Sequence, residues 1–477
     1  METAIESERK YDVPADFALP AVDGTGEPAT HELEATYFDT PDLRLAAHRI
    51  TLRRRTGGTD AGWHLKTPGD GAARVEHRLP LDRSADGVPA ELLAPVRAVV
   101  RRQEVAPVAR LRTRRVETPV RDAAGRTLAL IADDTVDAEA YGEAQHWREV
   151  EVELVEGGPE VLEAVERALL AAGATPAAGP SKLGRVLGGR VPAPDRPALS
   201  ARGTVAQVQR YAREQRAALV ANDPGARAGD EDAVHDMRVA IRRLRSTLKT
   251  FRSVWPADRA GRLRDELKWL AGPLGAVRDA QVMRGRMDRL TGDFPAAHDR
   301  LTHGLADDLD RGRRELTEAL EGDRYLTLLD ELDAAVDGPP AVGAGRVRRR
   351  ARKALVRADE LLAEADERTG DDRDPHLHEA RKAYKRARYA AEVFGKPGRR
   401  LAKALTGLQD VLGEHQDAVI TGQLLREHAG RAHEAGENGF DYGVLHERQR
   451  RAGERALEGL AAARRAASRR RIRRFLG

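Results

Sequence analysis

The sequence predicts an α+β multidomain protein: an N-terminal antiparallel β-barrel, forming a tunnel with flanking helices, followed by an all-α duplicated helical bundle. Three observations predict it. Short strand-like runs separated by turn residues fill the first part of the chain, a Gly- and Pro-rich stretch follows near residue 190, and the remainder has helical periodicity with one long motif present twice.

The strand-like runs are ATYFDT, RITLRRRTGG, WHLKTPGD, VEHRLPLD, LRTRRVETPV, LALIADD and WREVEVELVEG, which read as a meandering antiparallel sheet over residues 1 to about 155. Helical stretches interleave from Ala90 to Val99 and from Pro159 to Ala172. The segment GGRVPAPDRPALSARG has linker composition. Expected boundaries are 1–190 for the tunnel domain, 191–202 for the linker and 203–477 for the helical domain, whose repeats (about 203–337 and 343–477) meet at Gly338-Pro339-Pro340. In the duplication, VHDMRVAIRRLRSTLKTF from Val234 aligns with LHEARKAYKRARYAAEVF from Leu377, and LKWLAGPLGAVRDAQV from Leu267 with LTGLQDVLGEHQDAVI from Leu405.

Composition narrows the function classes. Cys is absent, which excludes disulfides, thiolate zinc sites and cysteine nucleophiles. The N-terminus METAIESERKYDV lacks a signal-peptide core and no apolar run is long enough to span a bilayer, so the expectation is a cytoplasmic protein without a membrane partner. Net charge is only +4, so a functional positive field must come from clustering. Aromatics are 4% and form no stacking motif, which argues against single-stranded nucleic acid and favours inorganic phosphate chains.

Alternation carries the first candidate site. On a strand, Glu6, Glu8 and Lys10 share one face, as do Arg53 and Arg55, His64 and Lys66, Arg112 and Arg114, and Glu149, Glu151 and Glu153. Between the last three lie Val150, Val152 and Leu154, so that strand has one charged and one apolar face. A single such strand suits ordinary solvent exposure. Five together suit a common charged lumen, with the apolar core outside the barrel and under the helices.

Glu6-Ser7-Glu8-Arg9-Lys10 resembles the ExExK signature of the CYTH, or triphosphate tunnel metalloenzyme, family, and YFDTPDLRL at 37–45 resembles the stretch that follows it there. The resemblance covers about residues 1–190. It implies that Glu6, Glu8, Glu149 and Glu151 hold a divalent metal, Mg2+ or Mn2+. It further implies that Lys10, Arg53, Arg55, Lys66, Arg112, Arg114 and Lys182 line the tunnel and hold phosphate, and that Asp134 is the tunnel's aspartate, with Asp133 adjacent on the other parity. The catalytic set is then Glu6, Glu8, Lys10, Asp134, Glu149 and Glu151. Leu130 departs from the pattern, standing where many members carry an acid. Chemically, Arg and Lys donors with a hard cation offset the charge that shields a terminal phosphorus and stabilise the leaving diphosphate.

The second candidate site lies on the repeated helices. His235, Arg238, Arg242, Arg245 and Lys249 fall three and four apart, as do His378, Arg381, Lys385 and Arg388, each beside an apolar stripe one residue earlier. One such stripe is ordinarily a solvated face; two in the same phase predict a shared basic groove. The HxxRxxx[RK]xxR pattern resembles that of the CHAD family, conserved-histidine helical domains that bind inorganic polyphosphate. The resemblance covers about 203–477. Asp374-Pro375 is the expected N-cap and first residue of the second helix.

Together these imply metal-dependent hydrolysis of inorganic triphosphate or a related triphosphate, with polyphosphate bound by the helical domain and an association with polyphosphate granules. The alternatives are a non-catalytic polyphosphate scaffold or sensor, and an adenylate cyclase of the CYTH type.

Overall fold

The computed structural model describes residues 2–68, 74–83, 87–177, 179, 181–192, 202–341 and 345–477; for 2–6, 83 and 371 it describes the backbone alone. The chain divides into two compact units between residues 196 and 197. The expected linker lies outside the described residues except at 191, 192 and 202.

The first unit is a ten-stranded antiparallel sheet: β1 (Glu2–Glu6), β2 (Glu8–Val13), β3 (Ala29–Asp39), β4 (Thr51–Thr56), β5 (Gly62–Pro68), β6 (Arg74–Leu79), β7 (Ala106–Arg121), β8 (Thr127–Ala140), β9 (Glu143–Leu154) and β10 (Thr175–Pro176). The hydrogen-bonded order is β1-β6-β5-β4-β3-β7-β8-β9-β2-β10. β1 pairs with β6 and β2 with β9, yet only Ser7 separates β1 from β2 in the chain. One run of chain therefore joins the first strand of the order to the last but one, and the sheet must curl until its two ends approach. Its ladder stays open, since among the described residues no pairing joins β1 to β2, but the curl encloses a lumen.

That lumen can be charged because the strands place their apolar residues outside. Leu52, Trp63 and Leu65 pack beneath the short helices Ala90–Leu93 and Arg97–Val100. Ile131, Val150 and Val152 pack beneath α1 (Pro159–Ala171), whose Leu162, Val165 and Leu169 form its buried stripe. Burying each such side chain contributes roughly 1.5–3 kcal/mol, so the outer faces hold the barrel together. A further helix, α2 (Lys182–Leu187), sets Leu183, Val186 and Leu187 against Tyr37, Leu111, Val136 and Trp147. Tyr37 and Leu111 also line the lumen, so α2 plugs it at that end.

Register follows from turn chemistry. The two-residue loop between β8 and β9 is Tyr141-Gly142, both at positive φ (52° and 79°), the twist a tight hairpin requires. It sets Asp134 opposite Glu149 and Ala132 opposite Glu151. The YFDTPDLRL stretch is a turn: the buried Asp39 carboxylate accepts backbone N–H groups of Thr40 (2.7 Å), Leu45 (2.8 Å) and Ala46 (2.9 Å).

The second unit is helical. In its first half α3 (Glu231–Thr250) precedes the long α4 (Ala257–Leu290), and in its second half α5 (Arg373–Glu392) precedes the long α6 (Lys396–Glu434). The expected apolar stripes are the buried ones: Val234, Met237, Ile241, Leu244 and Leu248 on α3, and Leu377, Ala380, Tyr384 and Ala387 on α5. Asp230 caps α3, accepting from the Ala233 N–H at 2.7 Å. The cap expected at Asp374 is corrected: α5 starts at Arg373, and the Asp374 carboxylate instead accepts from His415 Nε2 on α6 at 2.8 Å.

Candidate active site and basic groove

Inward parity on β4 and β5 brings Arg53, Arg55 and Lys66 to the lumen wall, where Glu8 and Lys10 of β2 and Glu151 and Glu153 of β9 join them. Arg55 pairs with Asp60, and Arg53 Nη1 donates to the Tyr37 hydroxyl at 3.4 Å. Burial and the nearby Arg53 and Arg115 push the Arg55 guanidinium down to about 9. So crowded a set of bases calls for an anion.

The carboxylates concentrate at one place. Asp134, Glu149 and Glu151 are buried and each brings an oxygen within 4.8 Å of the others. Lys182 Nζ lies 2.9 Å from Asp134, 2.6 Å from Glu149 and 2.8 Å from Glu151. Arg115 also holds Asp134 and reaches Glu151 at 2.9 Å, while Lys10 pairs with Glu151 and lies 3.2 Å from Glu8. Burial alone would raise the Glu151 carboxyl, but Lys10, Lys182 and Arg115 overcome it and hold it well below the usual range. Burial would lower the Lys182 ammonium, yet Asp134, Glu151 and Glu149 hold it above its ordinary value. Trp147 Nε1 donates to Glu149 at 2.6 Å. An oxygen-only donor set of this kind suits a hard divalent cation.

The structure thus gathers Glu8, Lys10, Arg53, Arg55, Lys66, Asp134, Glu149, Glu151 and Lys182 in or beside the lumen. Glu6 ends β1, but its side chain lies outside the described ones. Asp134 faces Lys182, whereas Asp133 turns away to Arg148 (2.8 and 2.6 Å), as strand parity requires.

Arg112 and Arg114 are corrected. Their side chains are 81% and 57% exposed, beside Glu34 and Glu32 of β3 at 3.9 and 4.0 Å. The lumen takes the other parity of β7, namely Leu111, Thr113 and Arg115. LRTRR carries arginine on both parities, so alternation alone could not choose. Sequence reading also missed Arg74, Glu76 and Arg78 of β6. Glu76 is fully buried, accepts from His64 Nδ1 at 2.9 Å and pairs with Arg78. The alternation Arg74-x-Glu76-x-Arg78, which begins one residue before VEHRLPLD, is the signal for them.

In the helical unit, α3 packs against α5 and the two basic stripes converge. Burial, with Arg238, Arg388 and Arg381 nearby, lowers the Arg242 guanidinium despite Tyr389. Burial and the adjacent Arg381, Arg242 and Arg388 bring Lys385 down to about 8. Arg242 Nε and Arg381 Nε are buried without a hydrogen-bond partner. His235 is lowered by burial, Arg278 and Arg242, and His378 by burial and Lys382. Arg245 and Lys249 continue toward Arg264, with Arg386 beside Lys249. The aligned segments share a Leu-Gly pair, Leu274-Gly275 and Leu412-Gly413, and Arg238 Nη2 lies 3.8 Å from where a Cβ on Gly275 would stand, Arg381 Nε 3.4 Å from one on Gly413. Both guanidinium groups thus lie at ordinary contact distance over these glycines, against α4 and α6.

Two family models match in one chain: the CYTH domain over residues 4–178 and the CHAD domain over 210–426. A Mycobacterium tuberculosis (strain CDC 1551 / Oshkosh) protein, "Uncharacterized protein MT2285", is 38% identical over 96% of this chain and 95% of its own length. The chain belongs to the family that joins a CYTH domain to a CHAD domain. Solved structures similar to parts of this CYTH–CHAD protein include PptA from Streptomyces chartreusis (23% identity, TM-score 0.46, 55% of this chain and 100% of that one). Another is the CHAD domain from the plant Ricinus communis (28% identity, TM-score 0.43, 56% of this chain and 94% of that one). The CYTH match ends before Lys182, and the CHAD match includes both histidine helices. Among the described residues, no helix of the CYTH–CHAD protein is long and apolar enough to cross a membrane.

Proposed function

We propose that the CYTH domain hydrolyses inorganic triphosphate or a related triphosphate with the help of Mg2+ or Mn2+, and that the CHAD domain binds polyphosphate and so keeps the enzyme near polyphosphate deposits. One observation carries the reading: among the described residues, eight bases against five acids line a single lumen, with a three-carboxylate cluster at its wall. A sensor that only bound phosphate would gain nothing from buried acids, which repel the ligand unless a cation joins them.

In this reading Arg53, Arg55, Lys66 and Arg115 grip the phosphate oxygens and orient the chain in line. Their charge is fixed in place before reaction and stabilises the diphosphate as it departs. A divalent ion held by Asp134, Glu149 and Glu151 would neutralise phosphoryl oxygens. Water is the attacking group, so no side-chain nucleophile is required. Assay of the purified chain against inorganic triphosphate, nucleoside triphosphates and thiamine triphosphate, with Mg2+, Mn2+ or chelator, tests it. Turnover that needs metal and favours inorganic triphosphate is expected; no turnover of any triphosphate returns the protein to the scaffold class.

A further inference from the structure

Lys182 stands where the charge of the acidic cluster converges. Its Nζ is 2.6–2.9 Å from Asp134, Glu149 and Glu151, whereas Arg115 reaches two of these carboxylates and Lys10 one. Three carboxylates are thus balanced by three bases. A divalent cation using the cluster would draw oxygens to about 2.0–2.6 Å, and an ammonium already in contact with all three leaves no room for both. The Lys182 backbone is anchored, because Leu183, Val186 and Leu187 pack in the plug and Ser181 Oγ accepts the Gly184 N–H at 3.0 Å. Its ammonium, in contrast, sits on a flexible four-carbon stem. Ser181 and Lys182 both line the lumen, so a released ammonium has the phosphate path within reach.

We propose that Lys182 and the divalent cation exchange on the Asp134-Glu149-Glu151 cluster, and that the released ammonium becomes a phosphate ligand. This rests on the reading that the cluster takes a divalent cation. Exchanging a single for a double positive charge takes the cluster with Lys10 and Arg115 from neutral to one net positive charge and frees Lys182 besides. The lumen therefore becomes more positive as metal enters, so metal and polyanion favour one another's binding, reciprocally. Without a polyanion, metal affinity is held down by the competing lysine.

Calorimetry of Mn2+ binding to the full chain, without substrate, tests the exchange. Lys182→Met, which removes the ammonium and keeps the length, is expected to bind Mn2+ about tenfold more tightly or better, and Lys182→Arg no more tightly than the parent. A direct readout needs no substitution: in 15N-lysine-labelled protein the Lys182 ammonium signal, assigned by its loss in Lys182→Arg, should shift on adding Mg2+. This titration decides alone should Lys182→Met not fold. Mn2+ affinity not raised in a folded Lys182→Met protein, or a Lys182 signal unmoved at saturating Mg2+, overturns the exchange. Absence of any Mn2+ binding by the unsubstituted chain overturns the metal reading instead.

Discussion

Arg115 meets Asp134 in a two-pronged ion pair inside the lumen, Nε to Oδ1 at 2.8 Å and Nη2 to Oδ2 at 2.7 Å. The pairing assigns the inward parity of β7, and with it the arginine that belongs to the site. A charge-assisted contact to phosphate is worth roughly 1.5–3 kcal/mol, so Arg115→Ala is expected to lower kcat/KM on inorganic triphosphate about 10- to 150-fold. Arg112→Ala and Arg114→Ala remove exposed side chains and should stay within about twofold of the parent. Parallel steady-state kinetics on the three variants check it; a larger loss from Arg112 or Arg114 than from Arg115 would contradict the assigned parity.

Glu151 touches Lys10, Arg115 and Lys182 at once. Glu151→Gln keeps the volume and removes the charge, so it should abolish turnover and also destabilise the barrel, because the buried Lys182 and the half-buried Lys10 and Arg115 lose a counter-charge. Breaking a buried pair in this way costs about 3–5 kcal/mol, readable as a lowered melting temperature. The acid side follows from the depressed Glu151 carboxyl. Its stabilisation is fully present above the ordinary glutamate value of 4.5 and is lost as pH falls below it through the lower folded-state value. Thermal melts between pH 7 and pH 2 should show that loss in the parent and a flatter profile in Glu151→Gln.

Much of this was legible in the sequence, for a physical reason. Charged and apolar residues alternate on β9, so pattern alone separates Glu149 and Glu151 from Val150 and Val152. β7 defeats the same logic because Arg112, Arg114 and Arg115 occupy both parities, and only cross-strand register distinguishes them. Asp39, the first of the two aspartates in YFDTPDLRL, is invisible to pattern reasoning as a cap, since two of its partners are backbone N–H groups six and seven residues later. Convergence of the α3 and α5 stripes followed from duplication, but Arg278, Arg264 and Arg386 lie off both predicted stripes. The His415 contact that holds Asp374 likewise depends on how α6 packs against α5.

Lys385 predicts how anion binding responds to pH. Burial and three arginines bring it to about 8 from an ordinary 10.5, so the free protein loses this proton as pH rises through 8. For a base lowered on folding, stability rises with pH between about 8 and 10.5, and at neutral pH the charged form weighs against the fold. A bound polyanion favours the charged form. Polyphosphate should therefore raise the melting temperature of the helical unit at pH 7, and its affinity should fall as pH rises above 8. Lys385→Arg, charged throughout, should flatten that decline; titrations at pH 7, 8 and 9 compare the two.

The last prediction addresses the convergence itself. Arg242 stands on α3 and Lys385 on α5, yet Arg242 helps lower the Lys385 ammonium, and Arg388 and Arg381 of α5 help lower Arg242. A long polyanion lying there contacts both helices, so Arg242→Glu with Lys385→Glu turns two attractions into two repulsions. At roughly 1.5–3 kcal/mol for each lost contact, affinity for long-chain polyphosphate should fall by at least two orders of magnitude. Binding by the parent should also weaken steeply with salt, because these contacts are ionic. The fold should persist: neither residue belongs to the buried stripes of Val234, Met237, Ile241, Leu244 and Leu248 or of Leu377, Ala380, Tyr384 and Ala387, and removing like-charge crowding offsets part of any packing loss. Calorimetry of the full chain, with inorganic triphosphate present to saturate the tunnel, measures the effect while circular dichroism follows helix content. Unchanged polyphosphate affinity in a helical double variant would show that the two stripes do not share a ligand.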